Sequence, residues 1–178
     1  MFVVAGEALM DVFTGATTPT GLALDARIGG SPLNVAFGLA RMGERVAFLG
    51  GISTGVLGNR LADALHAEGV SLDAVHRSPA PTSLSLVAVD AHGVPEYAIY
   101  GTGAADRTLP LAALDRMPAN ARALHVGSYA MVVGETAATQ RALIERVHGK
   151  MVVSYDPNLR LNVEPDLAVW RATLEWML

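Results

Sequence analysis

Gly29-Gly30-Ser31-Pro32-Leu33-Asn34 decides how this chain is read. Two glycines allow a ligand to approach the backbone closely, because no Cβ intervenes. Ser31 can cap a helix, Pro32 fits a first helical position, and Asn34 follows in the first turn. Leu33, Ala36, Phe37 and Ala40 then recur at helical spacing, which gives one apolar face, and Gly43 stops the helix. Upstream, Leu22 to Ile28 reads as a short strand entering the glycines. Thr14 to Gly21, rich in Gly, Thr and Pro, reads as a loop, and Phe2 to Ala5 as a buried strand ending at Gly6-Glu7. Downstream, Val46 to Leu49 is a second buried strand. Ser53 or Thr54 can cap a second helix with Leu57, Leu61, Ala64 and Leu65 inward and Gly69 at its end. Strand, helix, strand, helix is the rhythm of a parallel sheet with crossover helices.

The middle of the chain breaks this rhythm. Ser83 to Val89 alternates, Asp90-Ala91-His92-Gly93 reads as a turn, and Glu96 to Tyr100 alternates again. That is an antiparallel hairpin, expected to leave the main sheet and cover something. The first rhythm then resumes. Ala123 to Val126 is a strand, Gly134 to His148 a helix, and Met151 to Tyr155 a strand ending at Asp156-Pro157-Asn158. Asp166 to Leu178 is a last helix, with Leu167, Trp170, Leu174 and Met177 on one side.

Composition narrows the chemistry. The 178 residues are 51% hydrophobic and 17% charged, with a net charge of −4 and no cysteine. The length favours one domain with its own core. Without cysteine there is no disulfide, cysteine-bound zinc, iron–sulfur cluster or thiol nucleophile, which fits a cytoplasmic protein. The charge gives no reason to expect nucleic acid or an anionic membrane as partner. Met1 to Asp11 lacks a basic region and reads poorly as a signal peptide. No apolar run approaches the ~20 residues of a membrane span. The fingerprint G-x-G-x-x-G is missing after the first strand. The phosphate loop G-x-x-x-x-G-K-[ST] is missing altogether, Lys150 being the only lysine. His66, His76, His92, His125 and His148 have no metal-ligand spacing.

In open α/β sheets, ligands bind beyond the carboxyl ends of parallel strands. Residues there are the candidates. Asp11, acceptor-only when ionised, suits two neighbouring sugar hydroxyls, though it also suits a solvated loop. Asn34 offers a donor and an acceptor, as a hydroxyl does, but equally fits a first-turn Asn that ends a loop. Arg160, with Asp156 and Asn158, suits a phosphoryl group or an ordinary Asp-Pro turn. Asp106-Arg107 reads as a local ion pair or loop feature, and Tyr97 as packing with a polar tip.

Together these segments resemble the ribokinase-like (PfkB) carbohydrate kinase family, nearest to its bacterial fructokinases. The matching residues are Gly6-Glu7-Ala8-Leu9-Met10-Asp11, Gly29 to Ala36 with Leu39-Ala40-Arg41-Met42-Gly43, and Val46 to Gly50. The hairpin ending in Tyr100, Gly103 to Arg107, and Asp156 to Arg160 complete the set. The resemblance implies a three-layer α/β/α ribokinase-like fold with a small β-sheet lid, incomplete at its C-terminal end. Lid strands are expected within about residues 14–28 and 71–101. It implies an ATP-dependent sugar kinase, with magnesium, that moves the γ-phosphoryl group to a sugar hydroxyl. Asp11, Gly29, Gly30, Asn34 and Arg160 would bind the sugar, Tyr100 would touch it from the lid, and Asn158 and, again, Arg160 would lie on the phosphate side. A homodimer through the lid is a further expectation of the resemblance.

Departures from the family matter too. Gly101-Thr102 stands where relatives often carry Arg after the lid Tyr, which favours a neutral sugar such as fructose over a ketodeoxy acid. Ser53-Thr54-Gly55 stands where a family Asp is common. The family's Gly-Ala-Gly-Asp segment, with the catalytic Asp, and its Asn-x-x-Glu magnesium segment do not occur in the 178 residues. The resemblance therefore places the catalytic Asp beyond Leu178 and makes this the N-terminal part of a kinase of about 300 residues. A parallel strand left without a neighbour is expected to make the isolated chain unstable or self-associating. Three readings stay open: a kinase for fructose or for another sugar (2-keto-3-deoxygluconate, ribose or a nucleoside), a non-catalytic sugar-binding fragment, and a nucleotide-binding α/β domain with other chemistry.

Overall fold

The structure is a computed structural model that describes residues 1–89 and 95–178. The turn expected at Asp90–Gly93, His92 included, lies outside the described residues. In chain order the elements are β1 (Phe2–Ala5), β2 (Leu9–Thr18), β3 (Gly21–Gly29), α1 (Ser31–Arg41), β4 (Val46–Leu49), β5 (Gly51–Ser53), α2 (Val56–Ala67), β6 (His76–Ser78), β7 (Leu84–Val89) and β8 (Pro95–Tyr100). Then follow two 3-10 turns, Ala105–Arg107 and Leu111–Arg116, β9 (Ala123–Gly127), a third 3-10 turn at Ser128–Met131, α3 (Gly134–Val147), β10 (Val152–Asp156) and α4 (Leu167–Met177).

Four strands form a parallel sheet in the order β10-β9-β1-β4. Alternation along the strands sends side chains to two layers. Val4, Val46 and Phe48 pack on Leu33 and Ala36 of α1 and on Leu61 and Leu65 of α2. Val3, Ala5, Leu124 and Val126 pack on Leu143, Ile144 and Val147 of α3 and on the Leu111–Arg116 turn through Ala113 and Leu114. The result is three layers, α/β/α, as the strand-helix rhythm implies. β10 is a sheet edge in this chain: it pairs only with β9 among the described residues, and Val152 is 70% exposed.

The second sheet, β3-β2-β7-β8, stands apart. β7 and β8 pair antiparallel, as their alternation indicates, and β2 joins β7 in parallel. Thr14 to Gly21 is not the loop its composition suggests. It is the outer half of a β2–β3 hairpin that turns at Pro19-Thr20, with a register shift between Thr14 and Thr17. The reason is local. Outer strand residues face solvent on both sides, so nothing demands apolar alternation, while threonine is a good strand former. The three-residue strands β5 and β6 form a separate parallel pair that the sequence does not signal.

Helix starts differ from expectation as well. The residue capping α1 is Gly30, and Ser31 is already helical. The residue capping α2 is Gly55, without a side-chain cap. Ser53 Oγ instead accepts from the Gly55 amide at 3.1 Å. α4 does carry a side-chain cap, Asp166 accepting from the Ala168 amide at 2.8 Å. Only Trp170 and Thr173 of that helix are buried. Leu167 and Leu174, assigned to its apolar side, are exposed.

Leu33 is wholly buried between α1 and the sheet. Leu33→Ala is expected to cost about 2–5 kcal/mol, as a cavity in a packed core does. A lower urea midpoint with unchanged slope would show it; an unshifted midpoint would place Leu33 outside the cooperative core.

Candidate functional site

The carboxyl ends of β1 and β9, the start of α1 and the inner face of the second sheet converge on one cavity of about 430 Å³. That lies in the range of ~300–1,000 Å³ usual for small-molecule sites. Asp11 projects from β2 and Asn34 from the first turn of α1. Asn158 and Arg160 come from the segment after β10, and Gly30 forms the α1 entrance. Five of the residues singled out from the sequence therefore share one cavity.

The glycines act by space. A Cβ on Gly30, whose φ is +116°, would come 2.6 Å from the Glu7 carbonyl oxygen, so α1 can start this close to the β1 turn only with glycine here. Gly29 is not a cavity residue. A Cβ on it would overlap the Asp11 carboxylate, so this glycine leaves the room in which Asp11 sits. Tyr100 does not reach the cavity. It is 61% exposed and pairs with Leu84, while Ile99, one residue earlier, pairs with Ser85 and lines the cavity. Strand parity gives the inner face to Ile99 and Tyr97, and Tyr97 lines the adjoining cleft with Asp11, Phe13 and Arg160.

Other site residues were passed over in the sequence. Ser85, Ser128 and Tyr129 line the cavity, and Ser128 holds a left-handed backbone with φ +57°. Uncommon φ of this kind in a non-glycine residue clusters at functional positions. Glu7 is 1% exposed and lines the cavity too. One of its oxygens, Oε1, accepts from the Ser31 amide at 3.3 Å, so this first-turn amide of α1 is engaged within the protein.

Asp106 is neither an exposed loop residue nor half of an ion pair. It is 1% exposed and accepts from Ser83 Oγ at 2.6 Å and Tyr129 OH at 2.7 Å. Arg107 turns its guanidinium over the Tyr129 ring, 5.1 Å from the centroid. The same guanidinium fills the space beside Gly101, where a Cβ would come within 2.5 Å of it. A cation thus stands next to the position after Tyr100, but it comes from the 3-10 turn and does not line the cavity.

Electrostatics follow from this burial. Desolvation lifts the Glu7 carboxyl from an ordinary 4.5 to about 7, and nearby Asp106 adds to the rise against the pull of Ser128 and the backbone amides. Burial raises Asp106 also, opposed by Ser83, Tyr129 and Arg107. Half-buried Asp11 is raised by desolvation, with the Ser85 hydroxyl and the Arg160 charge opposing it. Among the described residues no three His, Cys, Asp or Glu side chains converge as a metal-binding group. These residues therefore do not form a carboxylate cage for magnesium.

The profile of the pfkB family carbohydrate kinases matches residues 2–176. The chain belongs to that family. It is 31% identical over 160 residues to a fructokinase of Rhizobium leguminosarum bv. trifolii, covering 90% of this chain and 49% of that protein. An ATP-bound fructokinase of Xylella fastidiosa superimposes with a TM-score of 0.87 at 27% identity, over 97% of this chain and 57% of that one. A fructokinase double mutant of Vibrio cholerae O395, bound to fructose, ADP and potassium ion, gives 0.77 at 26% identity, over 99% and 56%. The fold is thus the ribokinase-like α/β/α architecture. The chain spans about half the length of the curated relatives it matches. No helix among the described residues is long and apolar enough to cross a membrane.

The Glu7 shift has a defined sign. Its folded value lies above its unfolded one, so the stability it contributes is whole below pH 4.5 and is lost as pH rises to about 7. The loss over that window is about 3 kcal/mol. Glu7→Gln should therefore flatten the fall in stability measured by urea unfolding between pH 5 and pH 8. Parallel curves for the two proteins would show that Glu7 does not carry the effect.

Proposed function

We propose that this chain forms the sugar-holding part of an ATP-dependent kinase acting on a neutral ketohexose, fructose in the first instance. The observation that carries the reading is the convergence of Asp11, Asn34 and Arg160 on one cavity between the parallel sheet and the second sheet. An acceptor-only carboxylate and a donor-acceptor amide suit a pair of sugar hydroxyls. Fructose-bound and ATP-bound relatives of the same fold support the substrate pair.

Phosphoryl transfer depends on positioning and charge neutralisation more than on covalent chemistry by the protein. Arg160 supplies a fixed positive charge at the mouth, its Nη1 held by the Leu159 carbonyl at 3.0 Å. Asn158 shares the strand end, its amide donating to Asp156 Oδ1 at 3.1 Å. In this reading both residues face the transferred phosphoryl group. The second sheet acts as a lid that excludes water and so suppresses ATP hydrolysis. The proton of the attacking hydroxyl is taken by an aspartate of the Gly-Ala-Gly-Asp kind, which the 178 residues do not contain. Gly101 in place of an arginine directly after Tyr100 favours a neutral sugar over an acidic one.

Calorimetric titration with fructose and with adenosine tests this. Fructose should bind, and Asn34→Ala and Asp11→Ala should each weaken it at least about tenfold, the loss of one or two charge-assisted or neutral hydrogen bonds. Adenosine binding that competes with fructose at the α1 entrance would overturn the reading in favour of a nucleotide site. A second measurement concerns space: Gly29→Ala should weaken fructose binding by displacing Asp11, and unchanged affinity would remove Asp11 from the site.

A further inference from the structure

One polar atom of the cavity wall is left unexplained by the sugar reading. Glu7 Oε2 is buried and has no hydrogen-bond partner, although its residue lines the cavity. A buried polar oxygen without a partner is costly, so such an atom points to a ligand. Its sister oxygen is occupied by the Ser31 amide, which fixes the carboxyl in place.

The charges around Glu7 decide its chemical form. Asp106, from the Ala105–Arg107 turn, has two hydroxyl donors and the Arg107 guanidinium close by. Tyr129, from the turn after β9, donates to Asp106 and not to Glu7. Ser128 of the same turn and Ser31 of α1 are neutral, and both favour the ionised form of Glu7 by less than burial opposes it. On the second sheet and the segment after β10, Asp11 and Arg160 offset one another. Burial outweighs the donors that Glu7 has, and the Asp106 charge adds to the effect, so Glu7 keeps its proton up to about pH 7.

We propose that Glu7 is a specificity-determining contact of the cavity, a neutral carboxyl whose Oε2–H donates to an oxygen of the bound sugar. This deepens the sugar-site reading and rests on it. It also completes the chemistry of the cavity: Asp11 only accepts, Asn34 does both, and Glu7 only donates through its free atom. A ligand rich in neutral oxygens satisfies all three. An anionic group at Glu7 would meet Asp106 behind it.

The test is fructose titration, from pH 5.5 to pH 8.5, of the 178-residue chain shown by a cooperative urea transition to be folded across that range. Wild-type affinity should fall about tenfold per pH unit above pH 7, because the donating form is lost. Asp11 acts on the opposite limb, since it must be ionised and loses its role as pH falls. Glu7→Gln keeps a neutral donor of the same shape. It should bind within about threefold of wild type at pH 6 and show no fall up to pH 8.5. Glu7→Ala should bind at least about tenfold more weakly at pH 6. Infrared difference spectra should show a protonated carboxyl at pH 6 that shifts on adding fructose and is missing from Glu7→Gln, a readout independent of how Glu7→Ala folds. A wild-type profile flat to pH 8.5, a Glu7→Gln profile that keeps the wild-type slope, or a carboxyl band blind to fructose would each overturn the proposal. If Asn34→Ala weakens fructose binding and the Glu7 variants do not, the Glu7 assignment alone fails. If wild type binds no fructose at any pH, the sugar reading fails and this assignment with it.

Discussion

The close approach of two backbones at Gly30 is the constraint on which this architecture depends. The first turn of α1 lies against the Glu7 carbonyl, nearer than any side chain would allow. That contact joins three things: the exit of β1, the return of β3 and the start of the first crossover helix. The Ser31 amide and the Glu7 carboxyl tie the same junction a second time. Because β1 and β4 are buried on both faces, the junction cannot slide without unpacking Val4 and Leu33. The cavity inherits its rigidity from there.

Polar groups are packed behind the cavity in an order that makes sense electrostatically. Asp106 fixes Ser83, at the start of the second sheet, to Tyr129, at the end of the main one. Thr136 of α3 adds a bond to the Asp106 carbonyl at 2.8 Å. A buried carboxylate with this many donors holds several elements together, and removing one partner would strand the rest. Leu9 and Trp170 close the apolar side around Tyr129, and Trp170 Nε1 donates to the Glu164 carbonyl. In this way α4 steadies the segment that carries Asn158 and Arg160.

Much of this was legible in the sequence, for reasons tied to particular residues. The helix around Leu33 and Ala36 shows a 3.6-residue period because one of its faces is buried, and Gly43 ends it with a left-handed φ of +83°. The strands at Val3, Phe48 and Val126 are short apolar runs because both their faces are covered. Asp11, Gly30, Asn34, Asn158 and Arg160 could be chosen because strand ends are where such sheets bind ligands. What could not be read depends on tertiary context. The burial of Asp106 and Glu7 is set by segments far away in sequence. The outer β2–β3 hairpin has no apolar period to betray it. Which of Tyr97, Ile99 and Tyr100 faces the cavity is not legible either, since a strand's two faces are told apart only once its register is known. Ser31 looks like a cap, but the glycine before it takes that place because only glycine fits there.

The cavity has walls from two separately hydrogen-bonded bodies. Asn34 and Ser128 belong to the three-layer body, whereas Asp11, Ser85 and Ile99 ride on the other sheet. The spacing between the Asp11 carboxylate and the Asn34 amide is therefore set by how the two sheets meet rather than within either one.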